Sequence, residues 1–167
     1  MKIMIVTAIM ILASSTCFAQ QPSYLDKWQW LVGEWKGEGD GEPGKGKGSF
    51  TFLPELDKKI ILRKNHSEYP ATKDKPKIIH DDLMIVYPDA SGSSVAIYFD
   101  NEGHVINYKV LHADSTVVMQ SDKQNSSPVF KLTYRLLKDK SINVKFEISR
   151  DGENFTTYTN GRCIKIK

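Results

Sequence analysis

The amino-acid sequence predicts an all-β protein that folds as a single antiparallel up-and-down barrel of about ten strands, with a short N-terminal helix. After Gly33, short segments of alternating apolar and polar residues follow one another at steady spacing, and turn-forming residues separate them. No helix-sized segment lies between them, so consecutive strands are expected to pair antiparallel. A sheet of this length leaves no open edge only if it closes on itself. A two-sheet sandwich is the alternative that the same pattern allows.

The first 19 residues have the features of a secretory signal peptide. Lys2 supplies a positive charge, residues 3–13 form an apolar core, and Cys17-Phe18-Ala19 has the small-x-small pattern of a cleavage site. The core is shorter than the about 20 residues that cross a bilayer, so no stable membrane insertion is expected. We therefore expect cleavage after Ala19 and a periplasmic or secreted bacterial domain over residues 20–167. Lipidation of Cys17 is the alternative, although the residues before it lack the leucine typical of such sites.

One short helix is predicted ahead of the strands. Ser23 is a candidate N-cap, and the helix is expected to end at Gly33. The apolar residues at helical spacing are Tyr24, Leu25, Trp28 and Leu31. A single apolar face on so short a helix indicates that it packs on one end of the barrel.

The ten predicted strands follow in order along the rest of the chain. They cover residues 34–39, 49–53, 59–69, 78–87, 94–100, 104–112, 116–121, 129–137, 142–149 and 155–166. Alternation is clearest near the end, where Ile142, Val144, Phe146 and Ile148 share one face. A closed barrel of this size commonly encloses room for one small ligand.

Charge and cysteine content exclude several classes. The net charge is +3, and it falls to +2 when the signal peptide removes Lys2, which is too mild a balance for nucleic-acid binding. Removal of Cys17 leaves Cys163 alone, so no internal disulfide is expected and Cys163 is interpreted as a small apolar filler. The spacings typical of metal sites, HxH, CxxC and HExxH, do not occur, so no metal is predicted.

The segment at 30–39, WLVGEWKGEG, resembles the opening of calycin-type barrels, which include lipocalins, fatty-acid-binding proteins and nitrobindins. In lipocalins an arginine from the last strand covers a Gly-x-Trp motif in the first, and Gly33-Glu34-Trp35 and Arg162 stand at those places. The resemblance therefore implies a structural lock between Trp35 and Arg162. The segments 48–57, 80–87 and 96–104 are most similar to an uncharacterised family of secreted bacterial domains, which brings no established activity.

The resemblance to nitrobindins stops short of their cofactor. Nitrobindins hold haem through a histidine close to the C-terminus, whereas residues 131–167 contain no histidine. Haem is therefore not expected, and no cofactor is predicted. A haem held differently would need one of the four histidines, His66, His80, His104 or His112.

Three polar groupings are candidate chemistry. His66 and Glu68 share one side of a strand because alternate residues face the same way, and His80 and Asp82 repeat this spacing. A turn at Gly103 would set Asp100 opposite His104, with Tyr98 facing Ile106 further in. A carboxylate beside an imidazole raises its basicity, as a general base requires.

The predicted ligand-binding set draws on these groupings and adds Tyr108 and Arg63, which alternates with apolar neighbours and is a candidate anion partner in the cavity. Its members are Arg63, His66, Glu68, His80, Asp82, Tyr98, His104 and Tyr108. The leading hypothesis is a barrel that binds a small, largely apolar molecule, oriented by these polar groups. Two alternatives stay open: a barrel enzyme, an isomerase or hydrolase, with a His–carboxylate proton-transfer site, and a structural accessory protein of the cell envelope. The sequence decides neither whether catalysis occurs nor the oligomeric state.

Overall fold

The computed structural model describes residues 24–39, 47–73, 76–124 and 127–167, so the predicted signal peptide and the helix cap expected at Ser23 lie outside the described residues. The strands are β1 (Gly33–Gly37), β2 (Lys47–Glu55), β3 (Ile60–Tyr69), β4 (Ile78–Pro88), β5 (Ser94–Asp100), β6 (Val105–Ala113), β7 (Thr116–Ser121), β8 (Val129–Leu136), β9 (Ile142–Ser149) and β10 (Thr156–Lys165). No helix in the described part of the chain is long and apolar enough to cross a membrane.

The ten strands close into one antiparallel barrel. Each strand pairs with its neighbours in the chain, and β1 pairs with β10 to complete the ring. The all-β, up-and-down prediction is confirmed, and the sandwich alternative is excluded. The bounds of β5, β7 and β9 are those predicted.

The predicted N-terminal helix is wrong in kind. Only a five-residue 3₁₀ helix forms, at Tyr24–Trp28. The chain then turns, with the Leu31 amide donating to the Trp28 carbonyl at 2.8 Å. The Leu31 carbonyl accepts from Nε1 of Trp35 at 2.8 Å instead of continuing a helix. Leu25, Trp28 and Leu31 are all buried.

An aromatic cluster fills the end of the barrel next to this 3₁₀ helix. Trp28, Phe52 and Tyr134 are completely buried, with ring centroids 6.1 Å apart for Trp28 and Phe52 and 5.3 Å apart for Phe52 and Tyr134. His112 stands edge-on to Trp28 at 4.9 Å. Large rings that interdigitate in this way close the end by packing alone.

Gly33 sits where β1 meets the C-terminal residues, and the backbone explains the choice of residue. Its φ is +127°, a conformation that side chains rarely adopt, and a Cβ there would lie 2.3 Å from the carbonyl oxygen of Lys167. The glycine of the Gly33-Glu34-Trp35 motif is therefore required by the close approach of the last residues of the chain.

Candidate functional site

The opposite end of the barrel carries the polar residues, and we call it the mouth. It is the end where β3 finishes at Tyr69, β4 starts at Ile78, β5 finishes at Asp100 and β6 starts at Val105. The side chains that face inward here divide into a charged wall on β3 to β5 and an apolar wall on β6, β8 and β9.

A buried ion pair anchors the charged wall. Arg63 on β3 and Asp82 on β4 are 6 % and 9 % exposed, and Nη1 of Arg63 donates to Oδ1 of Asp82. Burial acts to lower the pKa of Arg63, but the charge and hydrogen bond of Asp82, together with the nearby Tyr134 and Tyr98, outweigh it, and the pKa lies above its ordinary value. The guanidinium also lies over the ring of Phe50, 5.3 Å from its centroid.

His80 lies next to this pair, nearer the mouth. Its Nε2 is 3.4 Å from Oδ2 of Asp82 and 3.1 Å from the Tyr98 hydroxyl, while its Nδ1 is 3.0 Å from Oε1 of Glu102. The hydrogen bond to Asp82, opposed by burial and reinforced by Glu102, raises the pKa of His80 to about 9. His80 is therefore a cation at neutral pH, with acceptors on both ring nitrogens.

The β5–β6 hairpin extends the network to the rim. The Tyr98 hydroxyl donates to Oδ2 of Asp100 at 3.2 Å, and Nδ1 of His104 approaches the same oxygen at 2.8 Å. Gly103 takes a φ of +91°, and Tyr98 pairs with Ile106, so the predicted geometry of this hairpin is confirmed. Burial acts to raise the pKa of Asp100. Hydrogen bonds from the backbone and the side chain of His104 act in the opposite direction, and the pKa lies below its usual value.

The apolar wall was missed by the prediction of site residues. Ile106, Phe130, Val144 and Phe146 are partly exposed and pack against the buried core, and strand parity places them on the inner face of the barrel. The rings of Phe130 and Phe146 stack with centroids 6.0 Å apart, and Tyr158 meets Phe146 edge-on at 6.1 Å. Alternation predicted that Phe130 and Phe146 face inward, but it could not predict which end of the barrel stays open.

Two buried polar groups form the floor between the walls. Nε of Arg63 and the hydroxyl of Tyr134 are both buried and have no hydrogen-bond partner. Tyr108 lies to one side, edge-on to Tyr98 with ring centroids 6.5 Å apart. Burial raises the pKa of Tyr98, Tyr108 and Tyr134, so all three hydroxyls stay protonated at neutral pH. Neither Nε of Arg63 nor the hydroxyl of Tyr134 is reached by solvent.

The structure brings most of the predicted set together but separates one pair from it. His66 and Glu68 face outward and are about half exposed, with Nε2 of His66 3.3 Å from Oε1 of Glu68. Nδ1 of His66 lies 2.6 Å from Asp81, and Lys77 lies 3.0 Å from Glu68. The expected i, i+2 pair forms, yet it lies outside the mouth. Alternate residues of β3 face opposite sides, so His66 and Glu68 point away from the inner face that Arg63 occupies.

An open groove of about 570 Å³ runs along this outer wall from β2 to β5. The outward side chains that line it include Thr51, Lys64, His66, Leu83 and Phe99. Hydrogen bonds to Asp81 and Glu68 raise the pKa of His66, and those from Lys77 and His66 lower the pKa of Glu68. All of these groups are open to water, which weakens their interactions.

The predicted lock between Trp35 and Arg162 is replaced by a different pair. Trp35 pairs with Lys165 across β1 and β10, and Nζ of Lys165 lies 5.5 Å from the centroid of the Trp35 ring. Arg162 has the opposite parity and points outward. Its guanidinium contacts Ser141, Asp139 and Glu38, with Asp139 at 2.6 Å. One residue of difference in register moves a side chain to the other face of a strand.

Comparisons with known proteins add no family. No family model matches the chain, and no curated protein matches it in sequence. Within the part of the chain that the structure describes, no group of three His, Cys, Asp or Glu side chains converges in a way that could hold a metal ion.

Proposed function

We propose that this protein binds a small, largely apolar molecule in the mouth half of its barrel. The observation that carries the proposal is the pair of unlike walls. Partly exposed Ile106, Phe130 and Phe146 face inward on one side, and the network of Arg63 and Asp82 lies on the other. A site with an apolar surface and a few fixed polar groups is typical of small-molecule pockets.

The apolar wall supplies the binding free energy in this proposal. Burying a phenylalanine or isoleucine side chain completely is worth about 1.5–3 kcal/mol, and two phenylalanines and one isoleucine on this wall are only partly buried, so each can contribute part of that amount. The charged wall supplies orientation. Because its members hydrogen-bond to one another, they are held in place before a ligand arrives, which lowers the entropic cost of binding.

Titration with a neutral apolar fluorophore such as N-phenyl-1-naphthylamine tests the proposal. Phe146→Asp places a charge on the apolar wall and is expected to weaken binding by about tenfold or more. Leu111→Asp is the matched control, since Leu111 is 67 % exposed on the outside of β6. Equal loss in both variants, or full affinity in Phe146→Asp, contradicts binding in the mouth.

We further propose that the chain is exported by its first 19 residues and is a member of the calycin superfamily. The apolar segment after Lys2 supports export, and the Gly33-Glu34-Trp35 motif in the first strand of a closed barrel supports the superfamily. Cell fractionation with an intact mass of the exported protein tests the first part. A mass that begins at Gln20 is expected, and a chain retained whole in the cytoplasm contradicts it.

A second candidate function is proton transfer, favoured by His80. With a pKa of about 9, His80 carries its proton at neutral pH and could give it to a ligand, so it fits an acid better than the base expected from the sequence.

An envelope accessory role has one observation in its favour, the partly exposed outward row of Leu83, Phe99 and Val105 on neighbouring strands.

A further inference from the structure

We infer that one side of the barrel's outer wall is a dimer interface, at which strands β3, β4 and β5 of two copies of this chain pack face to face around a two-fold axis along β4. We call this surface, with the adjoining outward residues of β2 and β6, the apolar face. The inference goes beyond the proposed function, because the apolar face lies outside the barrel and the proposed ligand site lies inside it.

The strand registers set apolar side chains side by side over the apolar face. Outward residues alternate with buried ones along each strand, and the pairing of β2 through β6 aligns them in rows across the sheet. The outward apolar residues are Leu53, Ile60, Leu62, Leu83, Ile85, Tyr87, Val95, Ile97, Phe99 and Val105. All of them are partly or largely exposed in the single chain, up to 58 % for Val105.

The opposite wall of the barrel is polar, so the apolar face does not reflect a general property of the outer surface. The outward residues in the middle of β8 and β9 are Lys131, Thr133, Arg135, Asn143, Lys145 and Glu147. Single exposed apolar residues are common on protein surfaces, whereas a contiguous set marks a place where another molecule binds. The difference between the two walls therefore indicates that the apolar face is covered in the assembled protein.

The apolar face complements a second copy of itself across β4. Lys64 on β3 and Phe99 on β5 lie on either side of Leu83 in one row. A two-fold axis along β4 places β3 of one copy on β5 of the other. Each Lys64 ammonium then meets the exposed Phe99 ring of the second copy, and the attraction between a cation and an aromatic ring occurs twice.

The charges at the two edges of the apolar face are also complementary. The row through Tyr87 has Glu55 on β2 at one edge and Lys109 on β6 at the other. The same axis puts the Glu55 edge of each copy beside the Lys109 edge of the other, where opposite charges favour association. Lys109 also contacts Asp122 in its own chain, but this pair is exposed and holds it weakly. A negatively charged lipid surface fits less well, because it attracts clustered Lys and Arg and repels Glu55.

Sedimentation velocity of the purified full chain at increasing concentration tests the inference. The face is three strands wide, about 14 Å, so a weak dimer with a dissociation constant of about 1–100 µM is expected. Phe99→Asp should weaken this dimer at least about tenfold. Ile164→Asp is the matched control, since Ile164 on the outside of β10 is 37 % exposed and Phe99 is 38 % exposed. Equal weakening in both variants overturns the inference.

Exchange of the edge charges tests the arrangement of the two copies. Glu55→Lys and Lys109→Glu each bring like charges together twice and should weaken the dimer about three- to tenfold. Both substitutions in one chain should restore association to near the wild-type level. A double variant without this recovery overturns the axis along β4.

The wild-type chain decides the occupant even if a variant does not fold. On dilution of the dimer, the NMR signal of the Ile85 methyl groups should shift while that of Ile164 stays unchanged. A chain that stays monomeric up to about 1 mM, or that forms aggregates of unlimited size, overturns the inference. A monomer that sediments with phosphatidylcholine–phosphatidylglycerol vesicles assigns the face to a lipid surface and overturns it as well. Fluorophore binding in the mouth is measured separately, so failure of the dimer leaves the proposed function standing.

Discussion

Arg63 and Asp82 form a buried ion pair across β3 and β4, two register positions apart on the inner face of the barrel. Asp82 also faces His80, so one carboxylate is shared between two cations. The arrangement fixes the charged wall of the mouth and leaves Nε of Arg63 without a hydrogen-bond partner.

Breaking this pair is expected to destabilise the fold strongly. Asp82→Asn leaves the charge of Arg63 buried without a counter-charge, and the free energy of unfolding should fall by about 3–5 kcal/mol. Urea denaturation measures the change. The matched control is Asp122→Asn, which breaks the exposed pair with Lys109 and should have little effect. Equal effects at the two sites would show that the Arg63–Asp82 pair is not buried in solution.

His80 is expected to stabilise the folded protein on the acid side. Its folded-state pKa of about 9 lies above the unfolded value of about 6.5, so its contribution is complete below pH 6.5 and is lost as the pH rises through 9. Allowing for the solvent that reaches the ring, the loss should be about 1–2 kcal/mol. The difference between wild type and His80→Gln, measured from pH 6 to 10, checks this. An imidazole NMR titration with its midpoint near 6.5 contradicts it.

His112 is expected to act in the opposite direction. Burial, together with the nearby charge of Lys27, lowers its pKa, so the folded state binds the proton less readily than the unfolded state does. Stability is therefore present above pH 6.5 and falls as the pH drops through the folded-state pKa. His112→Gln should remove this acid-side loss between pH 7 and 4.5, with intrinsic tryptophan fluorescence following unfolding. An unchanged pH profile in the variant rules the assignment out.

Gly33→Ala is expected to be far more costly than the same change at Gly92. Both glycines have positive φ, +127° and +80°, but only at Gly33 would the new Cβ meet a backbone oxygen, whereas Gly92 has open space around it. We expect a loss of about 2–4 kcal/mol at Gly33 and about 1 kcal/mol at Gly92. Thermal unfolding of the two variants, followed by circular dichroism, gives the comparison. Similar losses would mean that the last residues do not pack against β1.

The parts of the site that were predictable from sequence are local in the chain. His80 with Asp82 and Asp100 with His104 follow from strand parity and from one tight turn, and both pairs form. Arg63 and Asp82 are 19 residues apart, and their contact depends on the register of β3 against β4. A slip of one residue would place Asp82 on the outside, so no pattern within a single strand specifies this contact.

Closure of the barrel was predictable as a fold but not in its side-chain detail. Trp35 and the last strand were expected to meet, and they do, but the register places Lys165 over the ring instead of Arg162. The open apolar wall was also beyond the sequence. Phe130 and Phe146 have the same alternation as the completely buried Tyr134, and only the position of the plug at Trp28 decides which of them meets solvent.

Methyl NMR of the protein during titration with N-phenyl-1-naphthylamine tests the central claim most directly, because it reports where an apolar molecule lies. We expect the largest shifts at the methyl groups of Ile106 and Val144 inside the mouth, with Leu111 on the outer face and Val117 in the filled end unchanged. Shifts confined to Leu83 on the outer groove, or no shift at any of these methyl groups, would contradict a ligand site in the mouth of the barrel.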